Sequence, residues 1–281
     1  MAKSVVVTGA NSGIGLATVL ELATHGYDVI GTARTAEKAA HIEEQARERG
    51  TVVRTVRCDV ADAEQTEKAW LEIAAMTDGG PWALVNNAGF AQSGAVEDVD
   101  DEAARYQLEV NVVAPARLAR LALPSMRERG SGRIVNVSSI AGRVSLPMLG
   151  WYCASKHALE ALSDALRAEV AGFGVRVILV EPGSFGSNIW DTGHSRAKTQ
   201  TSAYGTAYRR ADGVAAKAGR LPDPVWVARV IRVALANPVP LPRYLVGVDA
   251  MVGTALETLT PTGFADFVKG AAVGLRKLPF R

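Results

Sequence analysis

Short runs rich in valine and isoleucine alternate along the chain with longer stretches in which apolar residues recur every three or four positions. Continuous apolar runs suit parallel strands buried on both faces, and the longer period suits helices with one face turned to a core. On this pattern strands are expected at 4–9 (SVVVTG), 27–34, 51–60, 82–89, 132–139 and 175–183, with a seventh at 243–250. Helices are expected at 14–25, 36–49, 62–77, 101–129 and 154–171, with Gly26, Gly50, Gly130 and Gly172 as stops for several of them. Such alternation predicts an α/β fold, a doubly wound parallel sheet with helices on both faces.

No internal repeat or low-complexity linker divides the chain, so 1–281 is read as a single domain. Residues 1–185 form its core, 186–222 a loop and 223–281 a C-terminal helix and last-strand region. The stretch 186–222 is polar, rich in small residues and without clear period, and a segment that long in a compact domain is expected to be a functional lid. The end, 251–281, reads as one or two helices with a basic last turn.

Composition narrows the function classes. With 31 basic and 29 acidic residues the net charge is +2, and no basic block or aromatic-interleaved basic stripe points to nucleic acid. Two cysteines, Cys58 and Cys153, build neither a disulfide framework nor a zinc site, and no shared metal-ligand spacing links His25, His41, His157 and His194, so no metal is expected. The N-terminus lacks a signal h-region, and no apolar run approaches the ~18 residues of a membrane span. A soluble, cytoplasmic protein in a reducing compartment is the expectation.

Candidate chemistry gathers at the strand ends. TGANSGIG, Thr8 to Gly15, lies between the first strand and first helix, where glycines permit a tight turn and close approach of backbone to a pyrophosphate. Its spacing is G-x-x-x-G-x-G, and a tight turn without ligand is the alternative. The second strand ends in Ala33 and Arg34, with no carboxylate for a ribose hydroxyl. Asp28 sits some 16 Å away at the opposite end of that strand. Arg34 is a planar fork suited to the 2′-phosphate of NADP, or else a solvated arginine after a strand. Tyr152 and Lys156, four apart in GWYCASKHALEAL, share one helix face. A solvated pair, or a core tyrosine beside a snorkelling lysine, has the same spacing.

Four further motifs complete the set: NNAG at 86–89, Asn111 in EVNVVAP, NVSS at 136–139, and the Pro182–Gly183 pair. With the glycine loop and the Tyr152–Lys156 pair they resemble the short-chain dehydrogenases/reductases in their single-domain form, over about residues 3 to 190. The resemblance implies a Rossmann-like fold of about seven strands and NADP(H) as cofactor. It implies catalytic roles for Asn111, Ser139, Tyr152 and Lys156, with Ser139 taken rather than Ser138 because it stands thirteen residues before the tyrosine. Cofactor contacts are implied for Gly9, Asn11, Ser12, Gly13, Ile14 and Gly15, and for Arg34. Asp59 and Val60 would meet the adenine, Asn87, Ala88 and Gly89 the adenosine ribose, and Pro182, Gly183 and Ser187 the nicotinamide end. Ser187 stands where the family more often has threonine.

A phenol that gives or takes a proton near neutral pH needs its anion stabilised by about 3 to 4 kcal/mol, and one nearby ammonium supplies that. Lys156 is therefore expected to lower the pKa of Tyr152 and to hold the nicotinamide ribose, Ser139 to donate to the substrate oxygen, and Asn111 to hold a relay water. The first reading is an NADPH-dependent reductase of carbonyls, or the reverse alcohol dehydrogenase. Phe90, Leu146, Met148, Leu149, Trp151, Phe185 and Trp190 suggest an apolar ketone of steroid, retinoid, polyketide or aryl type. The second is a non-catalytic NADP(H)-binding sensor or scaffold, which ought to have lost one of the catalytic residues. Leu118, Leu121, Leu159, Leu162 and Leu166 exceed what packing on one sheet face obviously uses, and the family pairs these helices across a two-fold axis, so a homodimer or homotetramer is expected. GFADFVKGAAVGLRKLPFR, 263–281, reads either as an amphipathic membrane anchor or, preferred, as packing on the domain or a partner subunit.

Overall fold

The structure is a computed structural model and describes residues 2–186, 189, 202–215 and 221–275, with the side chains of 211–215 excepted. Its seven strands are β1 (Ser4–Val7), β2 (Asp28–Ala33), β3 (Arg54–Arg57), β4 (Ala83–Asn86), β5 (Gly132–Val137), β6 (Val175–Pro182) and β7 (Arg243–Val246). They form one sheet in the order β3-β2-β1-β4-β5-β6-β7, every neighbouring pair parallel. The order reverses between β1 and β4, and beyond such a switch point the carboxyl ends of the strands open a crevice.

Helices α1 (Gly13–Thr24), α2 (Ala36–Glu48) and α3 (Ala63–Met76) follow the first three strands. Then come α4 (Asp101–Leu108), α5 (Ala114–Glu128) and α6 (Gly150–Val170), and finally α7 (Gly205–Ala215), α8 (Val225–Ala236), α9 (Val248–Leu259) and α10 (Thr262–Ala272). The strand pleat sorts the core onto two faces. Val5 and Val7 join Leu20, Ile42, Ile231 and Leu235 under α1, α2 and α8, while Val6 between them joins Ile73, Leu84, Leu118 and Met126 under α3 and α5.

Several expectations need correction. The seventh strand ends at Val246. Gly247, at φ 107°, turns the chain into α9, so residues 248–250 are helical. The helix expected over 101–129 is two helices joined by a π-helical turn, Glu109–Val113. Pro115 has no N–H for the Asn111 carbonyl four residues earlier, so the regular ladder cannot run through this point. α6 begins at Gly150 and takes in Tyr152, and its stop is Gly174, left-handed at φ 72°, rather than Gly172. The supposed aperiodic stretch 186–222 contains α7. Leu118 and Leu159 are buried in the molecule's own core and Leu121 and Leu166 pack against it, leaving Leu162 as the exposed leucine of the five.

Candidate active site

A single cavity of about 820 Å³ runs along the carboxyl ends of the strands, from Arg34 and Lys38 at one end to Tyr152, Leu146 and α10 at the other. The glycine loop forms its floor. Gly9 takes φ +62°, and a Cβ there would lie 2.9 Å from the Ala88 Cα, closer than such contacts occur. A Cβ at Gly15 would strike the Gly9 carbonyl and the Asn87 amide, so backbone is pressed against backbone at both glycines. The Thr8 hydroxyl accepts from Asn87 N at 3.0 Å and Ala88 N at 2.9 Å, and Asn87 Nδ2 donates to Thr8 O at 2.9 Å. These bonds tie the β1 loop to the end of β4. Ser12, the residue before α1, makes no side-chain cap, so the amides of the first turn stay available to an anion.

Every sequence-predicted cofactor residue within the described part of the chain lines this cavity: the glycine-loop residues, Arg34, Asp59 and Val60, Asn87 to Gly89, and Pro182 and Gly183. Ser187 lies outside the described residues, as do Trp190 and His194. Arg34 is exposed, and Asp28 is paired with Arg54 at 2.6 Å at the far end of β2. Lys38, four residues beyond Arg34 in the first turn of α2, is a second cation at that end. The sequence carried its signal, an R-x-x-x-K spacing from strand end to helix start.

At the other end Ser139, Tyr152 and Lys156 converge. Ser139 ends the extended chain after β5, its hydroxyl accepting from Ala141 N at 3.1 Å and hydrogen-bonding the Tyr152 phenol. Lys156 Nζ donates to Val137 O at 2.9 Å and lies 5.9 Å from the centre of the tyrosine ring. Burial works against charge on both groups. It pushes the phenol up to about 12 against the hydrogen bond from Ser139, and the ammonium down to about 8, with the Glu160 carboxylate opposing. Burial therefore outweighs the lowering expected from Lys156, whose ammonium is bonded to the Val137 carbonyl. At neutral pH the corner holds a protonated tyrosine beside a charged lysine.

The same face of α6 continues one turn on to Glu160, which is buried. Behind it Arg143 grips the fully buried Glu181 through Nε at 2.9 Å and Nη2 at 3.0 Å, and Arg243 reaches Glu160 at 3.2 Å and Asp164 at 2.6 Å. Burial and the Glu181 charge push the Glu160 carboxyl up. This paired network fixes α6 against β6 and β7, and with it the helix that carries Tyr152.

Asn111 sits in the π-helical turn between α4 and α5. Its side chain stays out of the cavity, with Nδ2 donating to Phe90 O and Ser155 Oγ, both at 3.0 Å, and Oδ1 accepting from Phe90 N at 3.2 Å. It clasps the loop after β4 to α6. Of the expected apolar walls, Phe90, Leu146, Met148, Leu149 and Phe185 line the chamber and Trp151 does not. Sequence reading did not single out the α10 residues Val268, Lys269 and Ala272 or Val273 just after them, which line the substrate side with Leu221 of the expected lid stretch. Nothing in their spacing says which helix comes back over the sheet. Among the described residues no cluster of His, Cys, Asp or Glu is suited to a metal, and both cysteines are free and buried.

Comparison with known proteins gives the same picture. The sequence pattern of the family described as short chain dehydrogenase matches residues 3–197. The probable short-chain type dehydrogenase/reductase VdlC of Helicobacter pylori is 36% identical over 265 residues, covering 93% of this chain and 94% of that protein. The NADPH-dependent 3-dehydrocapnine reductase of Ornithobacterium rhinotracheale is 34% identical over 268 residues, 93% and 94% of the two chains. Among solved structures, a short-chain dehydrogenase from Streptomyces avermitilis superposes with a TM-score of 0.81 at 34% identity over 98% of each chain. A short chain dehydrogenase/reductase from Burkholderia phymatum, in complex with NAD, gives 0.79 at 27% identity over 91% of this chain and 92% of that one.

Proposed function

Because the chain belongs to the short-chain dehydrogenase/reductase family, and is thus an oxidoreductase of alcohol and carbonyl groups, we propose that it is an NADPH-dependent reductase of apolar ketones. One observation carries this reading: Tyr152 stands beside Ser139 and Lys156 at the apolar end of a cavity whose other end presents Arg34 and Lys38.

The residues present fit a nicotinamide dinucleotide. The cradle at Gly9 and Gly15 that a Cβ would fill, and the uncapped start of α1, suit the pyrophosphate. Asp59 and Val60 suit the adenine, and Asn87 to Gly89 the adenosine ribose. Arg34 with Lys38 suits a 2′-phosphate better than a bare hydroxyl, since two cations and no carboxylate stand there. Pro182 and Gly183, with Ser187, are assigned to the nicotinamide end. When bound, the reduced nicotinamide supplies a hydride to the carbonyl carbon.

The chain's own groups handle the oxygen. Ser139 donates a hydrogen bond to it, and Tyr152 gives up its proton as negative charge develops there. Lys156 holds the nicotinamide ribose and stabilises the phenolate left behind, which solvent reprotonates. Asn111 acts through its clasp on Phe90 and α6 and is a positioning residue. The substrate class, a steroid, retinoid, polyketide or aryl ketone, rests on the apolar chamber of Leu146, Met148, Leu149, Phe185 and Val273.

The test is initial-rate oxidation of NADPH and NADH over a panel of apolar ketones, with the matching secondary alcohols in reverse. No turnover of any ketone or alcohol, with NADPH still bound, would leave the sensor reading in its place. We further propose a homodimer through the π-helical turn before α5 and the open face of α6, where Val113 and Leu162 are exposed. Light scattering should give about twice the 29.6 kDa chain mass, and Leu162→Asp should reduce it.

A further inference from the structure

Lys156 is 4% exposed, and an ammonium taken that far out of water gives up its proton unless a negative charge lies near it. Its titratable neighbours on α6 are Tyr152 and Glu160, one turn to either side, and from β5 it meets the Val137 carbonyl at 2.9 Å. Glu160 is the acid that shares its helix face. That carboxylate is buried as well, so its own charge has to be held by others. Three acids crowd behind the corner, and they are not equally engaged. Glu181, on β6, takes both Arg143 bonds and lies 3.1 Å from Arg243 Nε. Asp164, one turn after Glu160 on α6, takes a 2.6 Å bond from Arg243 of β7 and another from Arg167. Glu160 has one contact with Arg243, at 3.2 Å, while its other oxygen, Oε1, is buried and makes no well-formed hydrogen bond. The Ser138 hydroxyl faces the carboxylate from just beyond β5. Gly142 leaves room for both, since a Cβ there would come within 2.9 Å of Ser138 Oγ and of Glu160 Cγ.

We propose that Glu160 is a positioning residue for the reaction: its buried carboxylate, placed by Arg243, is the counter-charge that keeps Lys156 an ammonium in the catalytic corner. Burial works to strip the proton from Lys156, and the Glu160 charge opposes it. On Glu160 itself, burial and the Glu181 charge act toward the neutral acid, while Ser138, Arg243 and Arg143 act toward the carboxylate. Of the three acids it is the one whose charge is least consumed by arginine, and it stands one turn from the lysine. Without that charge Lys156 would lose its proton nearer to neutral pH, and a neutral amine does less for the Tyr152 phenolate. The effect on turnover rests on the proposed function, whereas the charge of Lys156 does not.

The experiment is a pH titration of the full chain by nuclear magnetic resonance, with lysine isotope-labelled at its ε-carbon and the Lys156 signal identified by its loss in Lys156→Arg. Wild type should give a midpoint of about 8 for that signal. Glu160→Gln should lower it by about one pH unit, a tenfold weaker hold on the proton, and Glu160→Asp, which keeps the charge, should restore at least about half of that shift. Glu160→Met, also uncharged, serves if Glu160→Gln does not fold. With a ketone that the protein turns over, the alkaline fall in the reduction rate should move by the same amount as the signal. A Lys156 midpoint that stays in place without the carboxylate overturns the proposal. So does an equal shift in Glu160→Asp and Glu160→Gln, which would make size rather than charge the cause, or a shifted midpoint with the rate profile unmoved. A shifted midpoint with no turnover of any ketone or alcohol would sink the proposed function and leave Glu160 standing as the counter-charge of Lys156.

Discussion

The two ends of the cavity are built from different material. At the cofactor end the walls come from the ends of β-strands and the first turns of the helices that follow, and Thr8 ties Asn87 and Ala88 to the glycine loop through backbone hydrogen bonds. At the substrate end the walls come from the loop before α6, from Leu221 and from α10, which is largely exposed. The sheet sets geometry to within a hydrogen bond. Helices and loops laid over it can change shape or side chain without disturbing it. On the proposed function, the reaction belongs to the first region and the choice of substrate to the second. Ser139, Tyr152 and Lys156 stand where the two meet.

The widest separation should come from Tyr152→Phe. Loss of the proton donor should cut turnover by roughly a thousandfold or more on every ketone, while NADPH affinity measured by fluorescence titration changes little. A variant retaining more than about a tenth of the rate would remove Tyr152 from its role. Next in size is the cofactor end. NADPH should be preferred over NADH by at least about tenfold in kcat/KM, or roughly 1.4 kcal/mol, and Ala33→Asp should reverse the preference by repelling the 2′-phosphate. Equal kcat/KM for the two cofactors would make Arg34 and Lys38 surface charges only.

On the substrate side Val273→Phe, which narrows the chamber from α10, should lower kcat/KM for bulky ketones about tenfold relative to small ones and leave the cofactor preference alone. A uniform loss on all ketones would mean that α10 supports the catalytic corner rather than selecting substrates. The smallest effect is on pH. Burial holds the Lys156 ammonium down to about 8, so it is charged below that pH and loses its proton above it. Ketone reduction should therefore fall about fourfold between pH 7 and 8.5, whereas alcohol oxidation, which needs the Tyr152 phenolate, should rise with pH. A reduction rate flat to pH 9 would separate Lys156 titration from the rate.

How much of this was legible in the sequence follows the same division. Strand ends carry chemistry at fixed positions, so Gly9, Asn11 to Gly15, Arg34, Asp59, Asn87, Ser139, Tyr152 and Lys156 could be read from order and spacing, and all line the cavity. What the sequence did not tell of Asn111 is where its side chain bonds, since Phe90 and Ser155 are partners distant in sequence. The π turn around it depends on Pro115, whose effect falls on a carbonyl four residues back. The Tyr152 phenol was expected to be lowered by Lys156, but spacing along a helix does not reveal how deeply the phenol is buried, and burial raises it. α10 looked like an ordinary amphipathic helix. That its inner side closes the chamber is decided by tertiary packing, which leaves no local mark in sequence.

The most direct measurement of the central claim is transfer of label from NADPH deuterated at C4 of the nicotinamide to a ketone that the protein turns over. Using each C4 epimer in turn, the account predicts that one of the two leaves a single deuterium on the carbinol carbon of the product, one for each NADPH oxidised, and that Tyr152→Phe yields almost none in the same time. NADPH oxidation with no deuterium on that carbon from either epimer would contradict it.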